Sequence, residues 1–134
     1  MNYSKQRELI LNEVLKRSDH PTAEMIYNSL RKNNPRISLG TVYRNLNLLS
    51  ELNKIKRISV SLSSDCFDKT KINHYHMFCI KCKKVFDVND YFDINFLEKI
   101  REKNDFKIIS HEILFIGICK NCLLKGDKNE FKRK

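Results

Sequence analysis

Apolar residues recur at helical spacing three times in the first half of the chain, then give way to strand-like runs in the second. "QRELILNEVLKR" places Leu11, Val14 and Leu15 on one face, and "PTAEMIYNSLRK", entered after Pro21, aligns Ala23, Ile26, Tyr27 and Leu30. "NNPRI" interrupts the pattern. "SLGTVYRNLNLLSEL" restarts it with Ser38 as the expected N-cap, whose side-chain oxygen accepts a free amide of the first turn. Leu39, Val42, Leu46 and Leu49 form the apolar face of this third helix, and Thr41, Tyr43, Arg44 and Asn47 the opposite face. "KIKRISV" and "SDCFD" read as two strands of a hairpin. The order helix, helix, turn, helix, hairpin predicts a winged helix-turn-helix over residues 1–66.

From Phe67 onward, the strand-like runs "HMFCIKCKKVFDV" and "DFKIISHEILFIGIC" flank a helix near "INFLEKIREK". They predict a small α/β second domain over residues 67–124 and a basic tail over 125–134, so the fold class expected is α+β. A chain of 134 residues buries a real core in this arrangement.

Charge adds a partner to this picture. The net charge of +10 is uneven: residues 1–57 hold 11 basic and 5 acidic side chains, whereas residues 58–124 hold 10 and 9. The predicted winged helix is therefore the anion-binding half. An arginine and an asparagine on the outward face of its last helix suit phosphates and base edges, against the alternative of a merely solvated face. Ser38, Thr41, Tyr43, Arg44 and Asn47 form the expected contact set for double-stranded DNA. The N-terminus lacks the apolar core of a signal peptide, and no run approaches the roughly 18 apolar residues of a membrane span. The expected setting is cytoplasmic, where the five cysteines are metal ligands or redox thiols rather than disulfides.

Cys79-x-x-Cys82 and Cys119-x-x-Cys122 carry the strongest chemical signal. Each pair offers two thiolates to one side of a tetrahedral Zn(II), and 36 residues separate the pairs, so the fold must bring them together. A pair of redox dithiols is the competing reading. Cys66 stands apart and reads as a buried free thiol. His74 and His76 follow strand period and share a side; with His20, Asp68 and Asp87 they make three imidazoles and two carboxylates. That set suits Fe(II), Mn(II) or Zn(II), with a coordination position left open.

"HPTAEMIYNSLRKNNPRISLGTVYRNL", "HYHMFCIKCKKVFD" and "HEILFIGICKNC", in that order over nearly the whole chain, resemble the ferric uptake regulator family. The resemblance implies a dimeric winged-helix repressor that binds palindromic DNA when metallated and is not an enzyme. Within the family the sequence is most similar to the peroxide-sensing branch. On that likeness Cys79, Cys82, Cys119 and Cys122 hold structural Zn(II), and His20, Asp68, His74, His76 and Asp87 hold regulatory Fe(II) or Mn(II). Peroxide is then sensed by iron-catalysed oxidation of His20 or His74. Iron-sensing relatives often carry "HHDH" where this chain has "NHYH", so Asn73 and Tyr75 cannot supply their additional metal site, and His111 is expected to pack or hydrogen-bond. Iron- and zinc-responsive repression are the alternatives within the family; outside it, the alternative is a zinc-stabilised structural or redox protein. The chain starts near "YSKQRE", without the extra N-terminal helix of many members.

Overall fold

The computed structural model describes residues 2–60, 63–70, 75–90 and 94–126. Three helices lead: α1 (Tyr3–Leu15), α2 (Ala23–Leu30) and α3 (Leu39–Glu51). Each is capped by a side chain that accepts a first-turn amide, Asn2 from Lys5, Thr22 from Met25 and Ser38 from Thr41. β1 (Lys56–Ile58) and β2 (Cys66–Asp68) form the antiparallel wing, with Arg57 opposite Phe67. β3 (Tyr75–Cys79), β4 (Val85–Val88) and β5 (Leu114–Gly117) form a sheet of order β4-β3-β5, antiparallel between β3 and β4 and parallel between β3 and β5. α4 (Ile94–Asn104) makes the crossover to β5, and α5 (Lys120–Lys125) follows.

Ile10 and Val14 of α1, Ile26 of α2, and Val42, Leu46 and Leu49 of α3 enclose the first core, into which Phe67 of the wing inserts at 1% exposure. Burying that ring contributes roughly 1.5–3 kcal/mol. A second cluster joins Ile58, Val60 and Cys66 of the wing region to Phe78 and Val85 of the sheet, with Leu114 against it. The wing is thus packed on both sides, and Asp68 at its end is fixed relative to both halves. β2 spans Cys66–Asp68, across the 66/67 boundary expected from sequence.

Three details differ from the periodicity. In α1 the buried line is Ile10, Glu13 and Val14, while Leu15 is 44% exposed, because buried Glu13 is satisfied by Lys16, Arg17 and Ser29. The long first strand splits into β3 and β4 at a turn where Lys83 is left-handed (φ 64°). The long second strand shortens to Leu114–Gly117, the stretch that finds a partner in β3.

Candidate metal centres

His76 on β3 lies opposite Asp87 on β4 in the antiparallel register, so these two side chains share one face of the sheet. Asp68 ends β2, and His20 sits in the connection between α1 and α2. The fold converges all four: His20 Nε2 is 2.8 Å from Asp87 Oδ1 and 3.5 Å from Asp68 Oδ2, and His76 Nε2 is 3.4 and 3.3 Å from the same two oxygens. The imidazoles meet edge to face, with centroids 5.5 Å apart. Two donors come from the winged-helix half and two from the sheet.

The electrostatics call for a cation. His20, Asp68 and His76 are all buried, and two carboxylates brought together in a dry site need compensating positive charge. In the metal-free protein the His20 imidazole contributes to it. The hydrogen bond to Asp68, joined by that to Asp87, outweighs burial and raises the His20 pKa. Burial pushes the Asp68 carboxyl up, but hydrogen bonds from His20, His76 and the Thr70 amide overcome this and hold it well below the usual carboxylate range. A divalent ion does the same more fully. Donors bonded at about 2.1 Å lie about 3.0 Å apart when cis in an octahedron and about 3.4 Å apart in a tetrahedron, close to the four nitrogen-to-oxygen separations of 2.8–3.5 Å found here. The mixed nitrogen and carboxylate set suits Fe(II), Mn(II) or Zn(II). His74, expected in the same set, lies outside the described residues.

His20 has φ 51°, a left-handed conformation that costs a non-glycine residue roughly 1–2 kcal/mol. Such strain persists where the surroundings over-determine it. Downstream, the Phe67 amide donates to Pro21 O at 2.9 Å and Thr22 bridges to Cys66, so the wing edge pins the loop.

Cys79, Cys82, Cys119 and Cys122 form the second cluster, all four sulfurs lying within 4.8 Å of one another. β3 delivers Cys79; the Lys83 turn returns Cys82; β5, whose Gly117 pairs with Cys79, leads to α5, which carries Cys119 at its N-cap and Cys122 in its first turn. Cys82 Sγ and Cys119 Sγ are 3.8 Å apart, too far for a disulfide and equal to the edge of about 3.8 Å in a tetrahedron of 2.3 Å Zn–S bonds. Burial opposes ionisation of Cys79, but the amides of Cys82 and Cys119 point at its sulfur from 3.4 Å and pull its pKa down to about 6. Hydrogen bonding to Cys119 pushes Cys122 up to about 12. Cys79 ionises readily while Cys82 and Cys122 resist, the pattern that a dication replacing several protons resolves.

On α3, Tyr43, Arg44 and Asn47 face outward with Ser38 at the exposed N-cap. Thr41 does not join them. It is buried, its hydroxyl paired with Ser38 Oγ at 2.9 Å and accepting from Arg44 Nη2 at 3.1 Å, so it orients Arg44 from beneath. Tyr43 donates to Glu24, and Asn47 accepts from Arg57 of the wing. Arg57 is a contact that periodicity missed. Its signal was its place in the strand after a basic turn. Cys66 is 3% exposed, its sulfur directed at Ser64 O, and burial raises its pKa to about 11; it stands outside both clusters. His111 Nε2 meets the Tyr75 hydroxyl at 2.6 Å, the hydrogen-bonding role expected of it.

The sequence profile of the ferric uptake regulator family matches residues 1–116. The chain is 35% identical over 118 residues to the peroxide-responsive repressor PerR of Staphylococcus aureus, covering 87% of this chain and 79% of that one. Among solved structures, it resembles the ferric uptake regulator of Helicobacter pylori, described as having three functional metal-binding sites (TM-score 0.80, 29% identity, 96% of this chain and 84% of that one). It also resembles the peroxide stress regulator of Campylobacter jejuni (TM-score 0.72, 31% identity, 90% of each chain). With the three capped helices and wing in front of a strand-and-helix domain, the chain belongs to the ferric uptake regulator family of transcriptional regulators.

Proposed function

We propose that the protein is a cytoplasmic, homodimeric repressor that binds a palindromic operator when metallated and releases it on exposure to hydrogen peroxide. The observation that supports this most strongly is the four-donor cluster, which takes His20 and Asp68 from the winged-helix half and His76 and Asp87 from the sheet. His74 is the fifth ligand of this reading. A cation held by both halves fixes where α3 sits, and in a dimer it fixes the distance between two α3 helices, the quantity a palindrome reads. The four cysteines hold Zn(II) and lock the sheet. Phe106, Ile109, Phe115 and Ile116 are 49–90% exposed, an apolar surface suited to covering by a second copy. No described helix is long and apolar enough to cross a membrane.

His20, Asp68, His74, His76 and Asp87 would hold Fe(II), which would supply the electron for reductive cleavage of peroxide. The surrounding side chains govern access: the buried His20 ring belongs to the cluster, and half-exposed Asp87 leaves one flank open to a small oxidant. Gain of one oxygen by His20 or His74 removes a donor that only the closed arrangement uses. Similarity to the S. aureus repressor supports this sensing chemistry. Peptide mass spectrometry after Fe(II) and peroxide, with Mn(II) as control, tests it: an iron-dependent gain of one oxygen on the His20 or His74 peptide is expected. Unmodified histidines together with iron-dependent DNA binding would favour an iron-responsive repressor, the second reading, which the likeness to the H. pylori regulator supports. Zinc sensing is disfavoured by Cys66, which turns to Ser64 rather than to the cluster.

A further inference from the structure

Metal-binding imidazoles are ordinarily oriented by a hydrogen bond from the second ring nitrogen to a carboxylate or carbonyl. His20 lacks this: its Nδ1 is buried and has no hydrogen-bond partner among the described residues. Its backbone is also left-handed, and it precedes Pro21, which restricts it further. Something other than the ring must hold it. Immediately upstream, Arg17 forks onto Asp19, with Nε to Oδ1 at 3.0 Å and Nη2 to Oδ2 at 2.8 Å. The same guanidinium reaches back through Nη1 to Glu13 Oε2 and to Met25 O, each at 3.4 Å. Glu13 is itself 5% exposed and anchored by Ser29 Oγ at 2.8 Å and Lys16 Nζ at 2.9 Å. Between Arg17 and Asp19, Ser18 receives Lys69 Nζ at 2.9 Å, from the residue that follows Asp68.

We propose that Arg17 and Asp19 are positioning residues for His20: the two-pronged Arg17–Asp19 contact, anchored through Glu13 to α1 and through Met25 to α2, fixes the backbone that aims the imidazole at Asp68 and Asp87. This rests on His20 being a ligand of the regulatory metal. Neither residue touches the cation. They set its affinity by keeping the strained loop in the binding conformation before the cation arrives, replacing the missing ring contact with a backbone one.

Asp19 is half exposed, so its substitution spares the core. Mn(II) affinity would be measured by loss of the free-ion electron paramagnetic resonance signal, well below the unfolding transition, for the full chain and for Asp19→Asn, Asp19→Glu, Arg17→Lys and His20→Ala. Asp19→Asn should weaken Mn(II) binding about tenfold, the lower end for outer partners of a metal site. Asp19→Glu should recover most of it, and Arg17→Lys, which keeps charge but not the fork, should lose part of it. In the His20→Ala background, Asp19→Asn should change nothing further, since no ligand remains to position. In metal-free protein, Asp19→Asn should also speed amide exchange in the peptide spanning residues 17–22. If His20→Ala weakens binding and Asp19→Asn does not, the positioning role is overturned while the ligand assignment stands. An equal loss from Asp19→Asn in both backgrounds overturns it as well, because the effect then bypasses His20. If His20→Ala leaves affinity intact, the ligand assignment fails and takes the proposal with it.

Discussion

Replacing Asp87 with alanine separates two roles of the regulatory site, holding the cation and closing the protein. Asp87 Oδ1 makes the shortest link between the halves, 2.8 Å to His20 Nε2, yet its side chain is 45% exposed. Driving a switch from 1:99 to 99:1 takes about 5.5 kcal/mol of differential binding. Shared equally among the four described donors, this is about 1.4 kcal/mol or tenfold each. Asp87→Ala should therefore shift the midpoint of a Mn(II) titration of operator binding about tenfold upward, while the plateau falls only from about 99:1 to about 10:1 closed. The double variant His20→Ala/Asp68→Asn, which removes both donors of the winged-helix half, leaves the cation on the sheet alone and should return the plateau to about 1:99. Fluorescence anisotropy of labelled duplex DNA against Mn(II) reads midpoint and plateau together. A single substitution that abolished the plateau, or one that left the midpoint unmoved, would refute the shared-clamp reasoning.

Cys119→Ser should lose zinc, read by elemental analysis, and unfold or dissociate the dimer in size-exclusion chromatography, because it removes one of the four clustered sulfurs. Arg44→Ala should weaken operator binding by roughly 1–3 kcal/mol with Mn(II) affinity unchanged. The metal-free protein should lose stability as pH rises past neutrality. The folded-state pKa of His20 is raised above its ordinary 6.5, so its contribution is complete below that value and disappears as pH climbs through the raised one. The depressed Asp68 contributes throughout that window and is lost only in strong acid. Loading Mn(II) should reverse the slope, since protons and metal compete for the same imidazoles; thermal midpoints with chelator and with Mn(II) check both signs.

The first three helices, the Ser38 cap and the wing were legible because each rests on local chemistry: Ser38 caps α3 wherever α3 goes, and a period of 3.6 survives without tertiary context. The break at Lys83 was not, because the turn uses a lysine in the left-handed region rather than a glycine, proline or asparagine that would have marked it. The last strand was overestimated for the opposite reason. Ile109 fits the pattern but is 90% exposed, since strand identity needs a neighbouring strand and β3 offers one only to residues 114–117. Thr41 was misplaced because a polar side chain whose hydroxyl is satisfied by Ser38 and Arg44 tolerates burial. The two C-x2-C pairs announced their purpose in sequence. The other centre did not announce its geometry, for His20 and Asp87 are 67 residues apart and meet only through the packing of wing on sheet.

β3 carries His76 near one end and Cys79 at the other, and its two ladders register His76 against Asp87 on β4 and Cys79 against Gly117 on β5. A slip of one residue turns every side chain of a strand to the opposite face, so it would unseat both centres at once. Closing the thiolate cage therefore proofreads the strand. A chain whose four cysteines have closed on zinc already holds His76 and Asp87 in register.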